Sequence, residues 1–305
     1  MLRARGYEAR EDLPRLCRFL AESRTSNVHA GDLQLMLSDP ALAPARDVRL
    51  WEEDGQLSGF ALVRPSCCEL VFEVKACAHR YDVETQLMVW ATERMRSVAF
   101  ERGRRLLFFT STREYEDDDE RISLLERSGF TRDEHHCVYM HYPLDAEVPP
   151  ATLPAGFTVR HLAGARELGA YVAAHRNAFW MDNLTEEWRR SVLRMPYYIP
   201  ALDLVAVAPD GELAACCLCW LEPPEGKPQG ARKGYVQTLG TRPKFQNDGL
   251  GRAVFLEALR RLQTHGASVA VGQVEALNTQ ILRVCERIGV RPLHNIYRYF
   301  WNAEV

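Results

Sequence analysis

The sequence predicts two successive domains of mixed α/β architecture, each a sheet with helices on both faces. Three observations carry this. The chain has 305 residues, about twice the ~150 residues of a common single domain. Landmarks of the first half recur in the second half in the same order. Within the second half, strand-like runs alternate with amphipathic helical runs, the pattern of a sheet covered by helices.

The repeat is visible at three places. Arg5, Gly6, Tyr7, then Glu11, Asp12, Leu13, resembles Arg160, His161, Leu162, then Arg166, Glu167, Leu168. Leu50 to Leu57 reads strand, turn at Asp54 and Gly55, strand, and Leu204 to Leu213 does the same across Asp210 and Gly211. Leu125 to Phe130 ends a helix at Gly129, as Cys285 to Val290 does at Gly289, glycine being the residue that tolerates a left-handed helix end. The offsets, 155, 156 and 160 residues, are too long and too few for a solenoid and fit duplication of one fold. The Pro-rich stretch Val148 to Pro154 suits a linker, so the expected domains are 1–148 and 149–305.

In the second half the spacing predicts helices over Leu168 to Phe179 and near Thr185 to Leu193, then the Asp210–Gly211 hairpin and a strand from Gly234 to Thr241. A helix over Arg252 to Thr264 puts Val254, Phe255, Ala258, Leu259 and Leu262 on one face and is stopped by Gly266. A strand through Val269, Val271 and Val274, a helix from Asn278 and a strand from Asn295 to Trp301 complete it.

Composition excludes several classes. Apolar residues are 47%, charged residues 26% and the net charge is −3, a balance that does not suit a polyanion such as nucleic acid. No run reaches the ~18 apolar residues of a membrane span, and the N-terminus lacks a signal-peptide core. A cytoplasmic protein without membrane or nucleic-acid partners is expected. The nine cysteines include Cys67–Cys68 and Cys216, Cys217, Cys219, with no pair at the two-residue gap of a zinc knuckle. They read as buried thiols, and no metal site is expected.

The chemistry is concentrated in Gln246, Asn247, Asp248, Gly249, Leu250 and Gly251, between a strand and an amphipathic helix. A diphosphate needs converging N–H donors and an unobstructed approach. The first turn of a helix supplies unpaired N–H groups and a positive dipole end, and glycine lets backbone come close. A dinucleotide fingerprint would need a third glycine where Val254 stands, and no Gly-Lys-Ser or Gly-Lys-Thr of a nucleotidase phosphate loop is present.

This loop resembles the signature of the GCN5-related N-acetyltransferase (GNAT) superfamily, Gln or Arg, two residues, Gly, one residue, Gly or Ala, after a central strand. Every position matches, and in tandem layout the chain is similar to the mycothiol synthase-like members. The resemblance implies two acyl-CoA N-acyltransferase folds, each a mixed, largely antiparallel sheet flanked by helices. It implies acetyl-CoA as donor and direct transfer to the amine of a small molecule, by a monomer or homodimer. It also implies a bulge near Leu239, Gly240 and Thr241 that splays the strand and admits the pantetheine arm. Arg252 would follow the pyrophosphate loop, and Asn278 would bond pantetheine or cap its helix.

Two family features are missing. Many members carry a strand glutamate as base, and the positions eleven and nine before Gln246 are Tyr235 and Gln237. Alternation places both on one face with Leu239. Substitute carboxylates are Glu275, Glu222, Asp182, Glu186 and Glu187. Where the family has a tyrosine acid, seven residues after the asparagine, stands Cys285; Tyr297, with Tyr299 beside it on the last strand, is the first choice for that role. In the first copy Asp82 and Glu84 occupy the expected loop and would repel a diphosphate, and an acidic run spans Glu114 to Glu120. That copy is expected to be structural. Two readings stay open: an N-acetyltransferase, or a non-catalytic acyl-CoA-binding or regulatory module.

Overall fold

The computed structural model describes residues 1–22, 26–113, 119–180, 183–223 and 232–304. The first half runs β1 (Leu2–Gly6), α1 (Ala9–Glu22), α2 (Ala30–Leu37), α3 (Pro44–Asp47), β2 (Val48–Glu53), β3 (Gln56–Arg64), β4 (Glu69–Val74), α4 (Arg80–Glu101), β5 (Leu106–Arg113), α5 (Asp119–Arg127) and β6 (Thr131–Pro143). The second half runs β7 (Thr158–His161), α6 (Leu168–Phe179), α7 (Glu186–Val192), β8 (Asp203–Val207), β9 (Leu213–Leu221), β10 (Arg232–Thr241), α8 (Leu250–Thr264), β11 (Ala267–Glu275), α9 (Thr279–Ile288) and β12 (Arg291–Ala303). Apart from α3, the two orders are identical, as duplication requires.

The repeat extends to side chains. Arg5 donates twice to Asp12, at 2.7 and 2.6 Å, and Asp12 also accepts from the Glu8 N–H at 2.7 Å. In the second half Arg160 pairs with Glu167 at 2.8 Å, and Glu167 accepts from the Ala163 N–H at the same distance. Each pair pins the first strand of its copy to the first helix by satisfying a carboxylate with a guanidinium fork.

Two compact units result, and they are not two contiguous halves. The first takes in Met1–Leu37, Ala41–Val138 and His294–Val305; the second takes in Ser38–Pro40 and Tyr139–Leu293. Compared with the expected division at 148/149, the end of β6 belongs to the second unit and nearly all of β12 to the first. Strand order is β1-β2-β3-β4-β5-β12 in the first unit and β11-β10-β9-β8-β7 in the second, where the end of β6 lies beside β11. The Leu144 N–H, just past β6, donates to the Ser268 carbonyl at 2.9 Å.

The physical reason is the pattern on β12. It pairs antiparallel with β5 from Ile296↔Arg113 to Ala303↔Leu106. Its alternate residues Tyr299, Trp301 and Ala303 enter the first unit's core with Phe108, Leu125 and Phe130. Trp301 lies 6.3 Å from Phe130, and the Arg96 guanidinium sits over its ring at 5.4 Å. A period-two apolar strand goes where its buried face is covered, irrespective of the copy that encodes it.

Because a buried tryptophan from the far end of the chain closes this core, Trp301→Ala is expected to cost about 3–5 kcal/mol in denaturant unfolding. Amide exchange should rise in β5, the strand that β12 covers.

Candidate active site

The loop after β10 has the geometry its sequence implies. A single 3-10 turn, Pro243–Phe245, follows the strand, and α8 begins at Leu250. Asn247 and Gly249 adopt left-handed backbone, φ 72° and 79°, which asparagine and glycine tolerate. The Gln246 amide donates to the Thr241 carbonyl at 2.9 Å and ties the loop to the strand it leaves. Gly251 is glycine for space, since a Cβ there would lie 3.0 Å from the Thr241 hydroxyl. The helix ladder starts with the Ala253 N–H to the Gly249 carbonyl. The N–H groups of Leu250, Gly251 and Arg252 therefore stand ahead of it as free donors at the positive end of a 15-residue helix.

Beside this loop the sheet opens. β10 and β11 pair in parallel from Arg232↔Ala267 to Val236↔Gly272, and there the pairing ends. On its other edge β10 continues along β9 to Thr241↔Ala215, with a register break between Val236 and Thr238. Gln237 is the extra residue of a bulge, two residues before the position expected from the resemblance. A bulge bends and twists its strand, which draws Gln237 to Thr241 away from Gln273 to Glu275.

The bulge also corrects the expected alternation. Tyr235 faces Trp220 and Leu239 faces Cys217, three residues apart on unbroken β9, so Tyr235 and Leu239 point to opposite faces. The glycines agree: a Cβ at Gly234 would strike Leu262 of α8, and one at Gly240 would strike Phe179 of α6. Tyr235 is buried at 2% exposure and does not line the opening.

The opening is a cleft of about 270 Å³ that passes between the two strands, with Phe179 at one side and Phe255 and Leu259 of α8 at the other. Gln237, Thr238 and Leu239 line it from β10, Gln273 to Glu275 from β11, and Asn278, Ile281 and Cys285 from α9. Asn278 both lines the cleft and caps α9, its carbonyl oxygen accepting from the Ile281 N–H at 3.3 Å. Cys285 is buried, and burial pushes its thiol up to about 11. Among the described residues that line it, Glu275 is the one carboxylate.

Other expected residues lie elsewhere. Tyr297 belongs to the first unit, where it stacks on His136 at 5.3 Å and accepts the Arg132 guanidinium at 3.4 Å. Tyr299 is in that unit's core. Glu222 is buried at a strand end, accepting from the Lys233 N–H at 2.8 Å. Glu186 pairs with Arg190 on α7, Glu187 is exposed on the same helix, and Asp182 lies outside the described residues. Sequence reasoning missed Met140, Tyr142 and Phe179, all lining the cleft. Phe179 closes a predicted helix and its burial could have been suspected; Met140 and Tyr142 arrive by the strand exchange, which leaves no local signal.

In the first unit the corresponding strands are arranged differently. β3 and β4 pair without a register break, and β4 meets β5 only at Glu69↔Phe109. Where these strands part, Arg121 of α5 fills the space. Its guanidinium donates to the carbonyls of Phe72 and Ser111 at 3.2 and 3.4 Å and lies 3.8 Å over the Phe72 ring. At the start of α4, Glu84 is engaged by Arg80 and Arg127. The acidic stretch 114–118 lies outside the described residues.

Comparison with known proteins matches this geometry. Over the whole chain the structure superposes on a GCN5-related N-acetyltransferase from Sphaerobacter thermophilus, with TM-score 0.68, 19% identity and 96% of that chain covered. It superposes equally on a tandem GNAT protein from the clavulanic acid biosynthesis pathway, TM-score 0.68, 13% identity, 99% of that chain. The chain has a tandem GNAT fold. Residues 172–290, which contain the loop and the cleft, match the acetyltransferase (GNAT) family. The chain is also similar to curated mycothiol acetyltransferases: 31% identical over 172 residues to that of Saccharopolyspora erythraea, covering 55% of this chain and 54% of that protein. For the protein of Kineococcus radiotolerans the figures are 36% over 120 residues, 38% and 36%. The chain therefore spans about half the length, or less, of the curated relatives it matches.

Near the cleft, His175 sits between Tyr171 and Phe179, at 6.2 and 4.6 Å. Its Nδ1 is buried and has no partner among the described residues. Burial, with Arg189 and Arg176 nearby, lowers it to about 4. An unfolded histidine titrates near 6.5, so between pH 6.5 and 4 the unfolded chain binds a proton that the folded chain refuses. Stability contributed by the neutral ring is complete above pH 6.5 and is lost as pH falls. His175→Phe is expected to remove about 2 kcal/mol of the wild type's loss between pH 6.5 and 5, measured by urea unfolding at both pH values.

Proposed function

We propose that the second unit is an N-acetyltransferase, binding acetyl-CoA and moving the acetyl group directly to the amine of a small molecule. One observation carries this reading: the free N–H turn of α8 opens beside the parting of β10 and β11. The anionic end of the donor meets the donors from Asn247 to Arg252. The β10 edge from Gln237 to Thr241, unpaired with β11, is left to bond the pantetheine amides as an added strand would. The thioester then lies within the cleft, where a backbone N–H of the bulge can polarise its carbonyl.

The acceptor amine is protonated at neutral pH, its ordinary pKa being about 10, and must lose a proton before it attacks. Glu275 is the lining carboxylate and is proposed to take that proton directly or through water. Gln237, at the bulge, carries a neutral amide that cannot take up a proton and is proposed to position the acceptor. The mycothiol acetyltransferase similarity supports an amine on a small polar molecule as the acceptor class.

Calorimetric titration of acetyl-CoA into the wild type should show saturable binding. Gly249→Glu, which puts a side chain on left-handed backbone and a carboxylate at the diphosphate, should weaken it at least about a hundredfold, roughly 3 kcal/mol. Release of CoA that depends on one member of an amine panel, and that Gly249→Glu abolishes, identifies an enzyme. Binding without any such turnover identifies a carrier or regulatory module instead.

A further inference from the structure

Breaking the carbon–sulfur bond leaves a thiolate on CoA, and a donor placed at that sulfur lowers the barrier to its departure. The α9 residue at the cleft, Cys285, carries only a thiol, a weak hydrogen-bond donor. Tyr235 is on the other face of β10, and Tyr297 is engaged with His136 and Arg132 in the first unit.

One phenol does line the cleft. Tyr142 stands near the end of β6, in the part of that strand that belongs to the second unit. It is half-buried, and among the described residues its hydroxyl has no partner. Its ring edge lies 3.8 Å from where a Cβ on Gly289 would be. Gly289 follows Cys285 by four residues at the end of α9, so the two positions lie on the same side of that helix. The phenol thus stands in the cleft beside the end of the helix that lacks one.

We propose that Tyr142, encoded in the N-terminal half and carried into the cleft by the strand exchange, is the proton donor to the departing CoA sulfur. This rests on the donor site proposed above. The amine, having given its first proton to Glu275, bonds through nitrogen to the acetyl carbon, and the tetrahedral adduct passes its ammonium proton to water. The carbon–sulfur bond then breaks with both electrons going to sulfur. The sulfur takes the Tyr142 hydroxyl proton, and the phenolate regains one from water, leaving amide and CoA thiol. On this assignment the copy without a pyrophosphate loop still supplies a working group.

The test compares binding of CoA with that of desulfo-CoA, which lacks the sulfur, at a pH about one unit above the cysteine reference value of ~8.5, where the less acidic CoA thiol is substantially ionised. A hydrogen bond from Tyr142 to the thiolate makes wild type favour CoA by about tenfold or more, and Tyr142→Phe reduces the preference to less than about twofold. The phenylalanine keeps the ring against Gly289, so a purely packing role would leave the preference unchanged. With an acceptor in hand, Tyr142→Phe should lower kcat about a hundredfold at unchanged KM for acetyl-CoA. If wild type binds neither ligand, the donor site itself is refuted and Tyr142 falls with it. If wild type binds both equally, or its preference survives in Tyr142→Phe, or the preference disappears in Cys285→Ala instead, the donor site stands and the Tyr142 assignment is overturned.

Discussion

The parting of β10 from β11 after Val236 governs the second unit. A sheet interior normally pairs every backbone group, and here one extra residue, Gln237, ends that pairing on one edge while β9 keeps it on the other. From this follow the cleft, the inverted phase of the residues beyond it, and the need for glycine at position 240, where α6 presses Phe179 against the backbone. The loop to α8 then begins at the wide end of the opening, so a helix terminus and an unpaired strand edge face one volume.

Exchange of the closing strands makes the two copies interdependent in a way that chain order hides. β12 completes a core made almost wholly from the first half, and the tail of β6 reaches residues made in the second. Each copy thus requires the other to be synthesised before it is finished. Such non-local pairing raises contact order and slows folding, and it couples the retention of one copy to the retention of the other.

Much of the architecture was legible because its signals are local. Gly129, Gly289 and Gly266 sit at positive φ where helices end, and the α8 stripe from Val254 to Leu262 is buried as its periodicity implies. The loop was legible for the same reason, its glycines being demanded by backbone geometry within six residues. The bulge was placed two residues late, because a register break depends on what the partner strand does opposite Gln237. The facing of Tyr235 failed with it, since simple alternation holds only along unbroken strand. The sequence puts Tyr297 on the last strand but does not say which unit that strand joins, and it gives no sign of Tyr142 at the cleft, since which sheet a closing strand joins is decided by packing far along the chain.

The arginine that fills the first unit's parted strands says something about what such a gap demands. Arg121 meets the carbonyls of Phe72 and Ser111 with its own donors and packs over the Phe72 ring. There the strand edges are hydrogen-bonded from within the copy, and a long planar cation from the neighbouring helix is suited to that. In the second copy the residue 160 positions on is Ile281, too short and apolar to do the same. In that half the β10 edge beyond Val236 has no β11 partner, so an added strand-like chain there would extend the sheet.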